Sequence, residues 1–145
     1  MFKHLLIATD GSRLAEEAAR SAVGLAKSLG ARVTAMTVSL PYHVFTTHYV
    51  LVSDTEGVYS RECRNRAEQY LAVIRQAARS AGVACDEVHA FHEQPHASII
   101  ETAEQRGCDL ICMASHGRTG LTGLVVGSVT MKVLAHSGIP VLVWR

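Results

Sequence analysis

The chain has 145 residues, a formal net charge of +1 and 48% hydrophobic residues. That length fits one domain, able to bury about 68–70% of its unfolded surface. Its acidic and basic residues are interspersed, which argues against nucleic acid or an anionic membrane surface as a partner, and no run approaches the roughly 20 apolar residues that a bilayer span needs.

Met1 to Ala8 is too short an apolar run for a signal peptide and stops at Asp10, so a soluble cytoplasmic protein is expected. Lys3 to Thr9 lacks period-2 alternation, as befits a central parallel strand covered on both faces. Ala15, Ala18, Ala22, Leu25 and Leu29 then keep helical spacing, with Gly30 as the stop. Ala31 to Val38 reads as a second strand, followed by a long loop from Pro41 to Gly57. A longer helix carries Ala67, Leu71, Ile74, Ala78 and Ala81 on one stripe and closes at Gly82. Ala84 to Phe91 is a third strand, and Pro95 suits the first position of a helix ending near Gly107. Asp109 to Met113, a helix from Ser128 to His136, and Pro140 to Trp144 complete the series. Strands alternating with helices predict one α/β domain over residues 1–145, a doubly wound parallel sheet with right-handed crossovers.

Cys63, Cys85, Cys108 and Cys112 form no CxxC pair and read as reduced thiols. His43 and His48 follow the second strand, while His92 and His96 follow the third. Both segments leave strand carboxyl ends, so these imidazoles could share a face. A metal site needs three or four ligands converging at about 2.0–2.1 Å; a scattered, solvated set is the simpler reading, and no metal ligands are assigned.

The segment from Met113 to Thr130 carries the chemistry. It runs strand, glycine-rich loop, helix start, with Gly117, Gly120, Gly123 and Gly127 in the loop and Ser128 at or near the N-cap. That order sets bare backbone N–H groups and a helix N-terminus where a phosphate can sit. Glycine-rich loops also serve as plain turns, so the pattern alone leaves both readings open.

The spacing is more specific. Nine residues separate Gly117 from Gly127-Ser128, and Ala114 stands three positions before Gly117. This resembles the signature of the ATP-binding universal stress protein family: glycine, two residues, glycine, nine residues, glycine, then serine or threonine. The likeness extends from Ala8-Thr9-Asp10-Gly11-Ser12 to the terminal Ile139 to Trp144. It implies a five-stranded sheet of order 3-2-1-4-5 with helices on both faces, an adenine-nucleotide alpha hydrolase-like fold. The loops after strands one and four would then face one crevice, where the strand order reverses.

The resemblance also implies a ligand, ATP or else ADP or AMP, with magnesium. Asp10 matches the acidic residue near adenine and ribose; Ala8 and Thr9 would line the adenine side. Val38 matches the position whose main chain meets the adenine edge, and Met113 would pack below the base or ribose. Gly117, Gly127, Ser128 and Val129 would offer donors to the phosphates, and His116 and Arg118 could reach their oxygens. The implied function is a stress-response regulatory module, a homodimer through strand 140–144 that acts through an unidentified signalling partner. Turnover is expected to be slow or absent, because no Lys precedes Ser128 and no carboxylate stands beside Gly127. A dimeric interaction protein of the same family without nucleotide, or a slow ATP-hydrolysing enzyme, are the alternatives. Ala114 departs from the signature's first glycine. Its methyl group is harmless if φ there is negative, and damaging if φ is positive or the methyl touches the triphosphate.

Overall fold

The computed structural model describes residues 1–43, 56–117 and 125–145. His48, Arg118, Gly120 and Gly123 lie outside them. The elements are β1 (His4–Ala8), α1 (Arg13–Leu29), β2 (Arg32–Ser39), α2 (Glu56–Ala81), β3 (Cys85–Phe91), α3 (Pro95–Gln105), β4 (Leu110–Ala114), α4 (Ser128–His136) and β5 (Val141–Trp144). The five strands form one sheet of order β3-β2-β1-β4-β5, parallel throughout. This is the expected order.

β1 sits at the centre because it is apolar on both sides. Leu5 and Ile7 point into a core with Val33, Ala35 and the inner stripes of α1 and α2. Leu6 and Ala8 point the other way, into a core with Met36, Ile111, Ile99 of α3 and Val133 of α4. Alternation with period two delivers successive side chains to opposite faces, and each fully buried Leu or Ile contributes about 1.5–3 kcal/mol. Helices on both faces follow directly from that double burial.

α1 starts where Ser12 Oγ accepts the Ala15 N–H at 3.2 Å, and its buried stripe of alanines lets the helix lie close to the sheet. α2 reaches further back than the stripe from Ala67 suggests. Cys63 and Tyr59 extend the same buried face by two further turns, and the Tyr59 hydroxyl donates to Leu40 O at 2.7 Å, tying the start of the helix to the end of β2.

His4, at the opposite end of β1 from the glycine-rich loop, is 4% exposed, with Nε2 2.8 Å from Thr34 Oγ1. Burial, aided by Arg32, pushes its pKa below 6.5; burial and Arg64 do the same to His89. Such groups are held neutral in the folded chain, so below about pH 6.5 the unfolded chain binds more protons. Stability is full above that pH and is lost as pH falls through the folded-state values. Thermal melts should show the midpoint dropping between about pH 7 and pH 5, with a smaller drop in His4→Gln. An equal drop in the variant would remove His4 from the account.

Candidate functional site at the switch point

Two loops leave the sheet side by side where the order reverses between β1 and β4. The first is built from short side chains that satisfy its own backbone. Thr9 N–H continues the pairing to Met36 O at 2.9 Å, Thr9 Oγ1 accepts the Gly11 N–H at 3.1 Å, and Asp10 Oδ1 accepts the Ser12 N–H at 3.0 Å. Gly11 has φ +76°, and a Cβ there would lie 2.2 Å from the Tyr70 ring. Backbone conformation and the aromatic wall from α2 both demand glycine.

The second loop is anchored at the end of β4. Ser115 N–H donates to Trp144 O and Ser115 O accepts the Gly127 N–H, each at 2.6 Å. The Thr130 hydroxyl donates to Ala114 O at 2.8 Å. Gly127 rather than Ser128 is the N-cap of α4, and no side chain caps this helix. The first intrahelical bond runs from Met131 N–H to Gly127 O. Among the described residues no partner meets the N–H groups of Ser128, Val129 and Thr130. Three donors and the positive end of the helix dipole are therefore left open.

Among the described residues the two loops touch where Asp10 meets Gly117. A Cβ on residue 117 would stand 1.9 Å from Asp10 Oδ2, so the Asp10 carboxylate packs directly on the bare Gly117 backbone. A side chain there would oblige the Asp10 carboxylate to move aside. Between the loops and the ends of β2 and α3 lies a cavity of about 580 Å³, within the usual range for small-molecule sites. Open N–H groups form one side, Asp10 another, and Met36, Val38, Ile99 and Met113 an apolar surface.

Every residue expected at the site lines this cavity except Arg118, which lies outside the described residues. One expected role changes. Gly127 cannot offer its N–H to a ligand, because Ser115 O already takes it. The wall also includes Ala15, Met36, Thr37, Pro95, Ile99 and Thr130, which the sequence reading missed. Pro95 and Ile99 share one face of α3 by their i, i+4 spacing, and Met36 and Thr37 precede Val38, so position at a strand's carboxyl end was the available signal. Ala114 is extended, since no non-glycine residue described has positive φ, and it packs with Ala15, Ala18 and Trp144. The methyl group is accommodated.

Among the described residues the histidines do not converge. His43 pairs with Glu93, His92 Nδ1 accepts the Gln94 N–H at 2.8 Å, and the His96 ring lies 5.5 Å from that of His136. Among the described residues no group of three or more His, Cys, Asp or Glu could hold a metal ion. Nor is any described helix long and apolar enough to cross a membrane.

Fold and site together define a doubly wound α/β protein that opens an uncapped helix N-terminus into a cavity at its switch point. The chain belongs to the universal stress protein family, whose sequence profile matches residues 1–145. It is 32% identical over 148 residues to universal stress protein MJ0531 of Methanocaldococcus jannaschii, covering 99% of this chain and 82% of that one. Among solved structures it resembles the protein MJ0577 with a TM-score of 0.82 and 27% identity, over 99% of this chain and 95% of that one. The same fold occurs in a universal stress protein in complex with cAMP (TM-score 0.69, 20% identity, 99% and 97% covered). It recurs in one from Archaeoglobus fulgidus in complex with dAMP (TM-score 0.65, 18% identity, 100% and 98% covered).

Gly11→Ala should destabilise the domain by about 1–3 kcal/mol, the cost of forcing a side chain into left-handed backbone. A urea titration reads this as a lower midpoint. An unchanged midpoint would contradict the packing of Tyr70 on this turn.

Proposed function

We propose that this chain is an adenine-nucleotide-binding regulatory module that acts as a homodimer and turns its ligand over slowly or not at all. The observation that carries the reading is the start of α4, where three residues whose N–H groups have no partner among the described residues line the cavity that Asp10 also lines. Oriented amides at a helix N-terminus suit a phosphate. The carboxylate of Asp10 suits ribose hydroxyls as an acceptor, and the methionine- and valine-lined wall suits a purine. The relatives complexed with cAMP and dAMP support an adenine nucleotide, and we extend this to ATP with magnesium. Asp10 is the one carboxylate lining the cavity among the described residues, so the ion would draw most of its ligands from phosphate oxygens and water.

Slow turnover follows from what surrounds the cavity. Asp10 and His116 are the titratable side chains lining it among the described residues, and Asp10 already holds the Ser12 N–H. Neither a general base nor a water-positioning group is evident in that set. The four cysteines are free thiols, which suits the cytoplasmic location included in this proposal.

Calorimetric titration with ATP, ADP and AMP, with and without magnesium, tests the reading. Ser128→Ala should weaken ATP binding by about 1–2 kcal/mol through a lost hydroxyl–phosphate bond. ATP at equal protein concentration should survive for minutes or longer. No binding of any of the three, or multiple turnovers per second, would overturn the reading.

The dimer rests on β5. It is the last strand of the sheet, its four residues are all half-buried, and among the described residues no strand lies on its outer edge. Unpaired N–H and C=O groups there suit antiparallel pairing with a second copy about a two-fold axis. Pro140 lacks a donor, so pairing centres on Val141 to Val143. Met131 and Leu134, exposed on α4, would add apolar surface. Light scattering at micromolar concentration should give twice the 15.7 kDa of one chain. A wild-type mass of one chain would refute the dimer.

A further inference from the structure

We propose that Thr130 is the positioning residue for the phosphate end of the cavity, holding the open N–H groups of α4 at a fixed angle through its bond to the Ala114 carbonyl. The inference rests on the nucleotide reading above and adds the side chain that builds its anion subsite. Thr130 is 3% exposed and is the third residue of α4. A threonine in a helix ordinarily turns its hydroxyl back to a carbonyl three or four residues earlier. Here the hydroxyl reaches across 16 positions of sequence to Ala114 O, so the bond serves tertiary structure and not the helix itself.

The usual way to finish a helix start is a capping box. The N-cap side chain takes the third residue's N–H, and that residue's side chain reaches back to the N-cap N–H. In α4 the first half is missing, because Gly127 has no side chain, and both groups of the second half are redirected to β4. The N-cap N–H of Gly127 goes to Ser115 O, and the hydroxyl of the third residue goes to Ala114 O. Two consecutive carbonyls at the strand end therefore hold the helix at two points. With Val133 packed in the core, the two bonds set the direction of the helix's first turn. Neither bond uses the N–H groups of Ser128, Val129 and Thr130, so these remain for a ligand.

A positioning role makes a claim that general destabilisation does not. Loss of the hydroxyl should affect the ligand's phosphate and leave its nucleoside alone. Calorimetric titrations of wild type, Thr130→Val and Thr130→Ser with AMP and with adenosine read this directly. Thr130→Val keeps the side-chain shape and should weaken AMP about tenfold while adenosine changes less than about twofold. Thr130→Ser, which keeps the hydroxyl, should restore AMP affinity. Equal weakening of both ligands, or of neither, overturns the positioning role while leaving the nucleotide reading standing. A wild-type protein that binds neither overturns both. Should Thr130→Val fail to fold, Thr130→Ala against Thr130→Ser supplies the same comparison.

Discussion

The site depends on how the chain leaves β4. Ala114 and Ser115 end a strand whose pairing to β5 continues through Ser115 N–H to Trp144 O. Their carbonyls point back across the loop and accept from Gly127 and Thr130. Buried carbonyls need partners, and each left unpaired costs about 1–3 kcal/mol. Here the partners come from the first turn of the next helix. The requirement that satisfies the strand end is therefore the one that aims the helix N-terminus into the cavity.

The opposite wall follows from the first loop. Thr9 and Asp10 accept the N–H groups of Gly11 and Ser12, and Ser12 Oγ caps α1. These short bonds fix the loop locally. Its long-range contacts include Tyr70 of α2 against Gly11 and Asp10 against the bare backbone of Gly117. Glycine at 117 thus lets the neighbouring carboxylate lie on the backbone, independently of any ligand. A residue that looks like part of a phosphate loop is also a packing contact between the two loops.

The fold was legible because each element carries its period in plain form. β1 is apolar on both faces, and that alone calls for helices above and below the sheet. The alanine stripe of α1 and the stripe of α2 from Ala67 are equally direct, although the aromatic and thiol side chains of Tyr59 and Cys63 concealed that helix's first turns. The loops' residues were legible from spacing and family resemblance. Their hydrogen bonds were not. Nothing in Gly127-Ser128 says that the glycine N–H is already bound to Ser115 O, because that bond spans a loop whose path local sequence does not encode. Thr130 was missed for the same reason: at the third position of a helix, a threonine reads as ordinary first-turn composition until its distant acceptor is known. The imidazoles point the same way. Loops at one end of a sheet place His43, His92 and His96 near the same rim, but each finds its own partner there, and proximity in topology stops short of convergence.

Ala114 shows how the sheet absorbs a departure from the signature. Glycine is indispensable where φ is positive or where a neighbour touches the backbone, and residue 114 meets neither condition on the side of α1. It is still within β4, and strand alternation places its methyl with Leu110 and Cys112 on the face covered by α1. There Ala15 and Ala18 are small enough to receive it. The carbonyl of the same residue is what Thr130 needs, and a Cβ does not alter it. The substitution therefore falls on the side of the backbone that packs, while the function of the position is carried by the atom that every residue shares. A signature glycine can change in this way without touching the helix start, whereas a side chain at Gly117 would have to displace the Asp10 carboxylate.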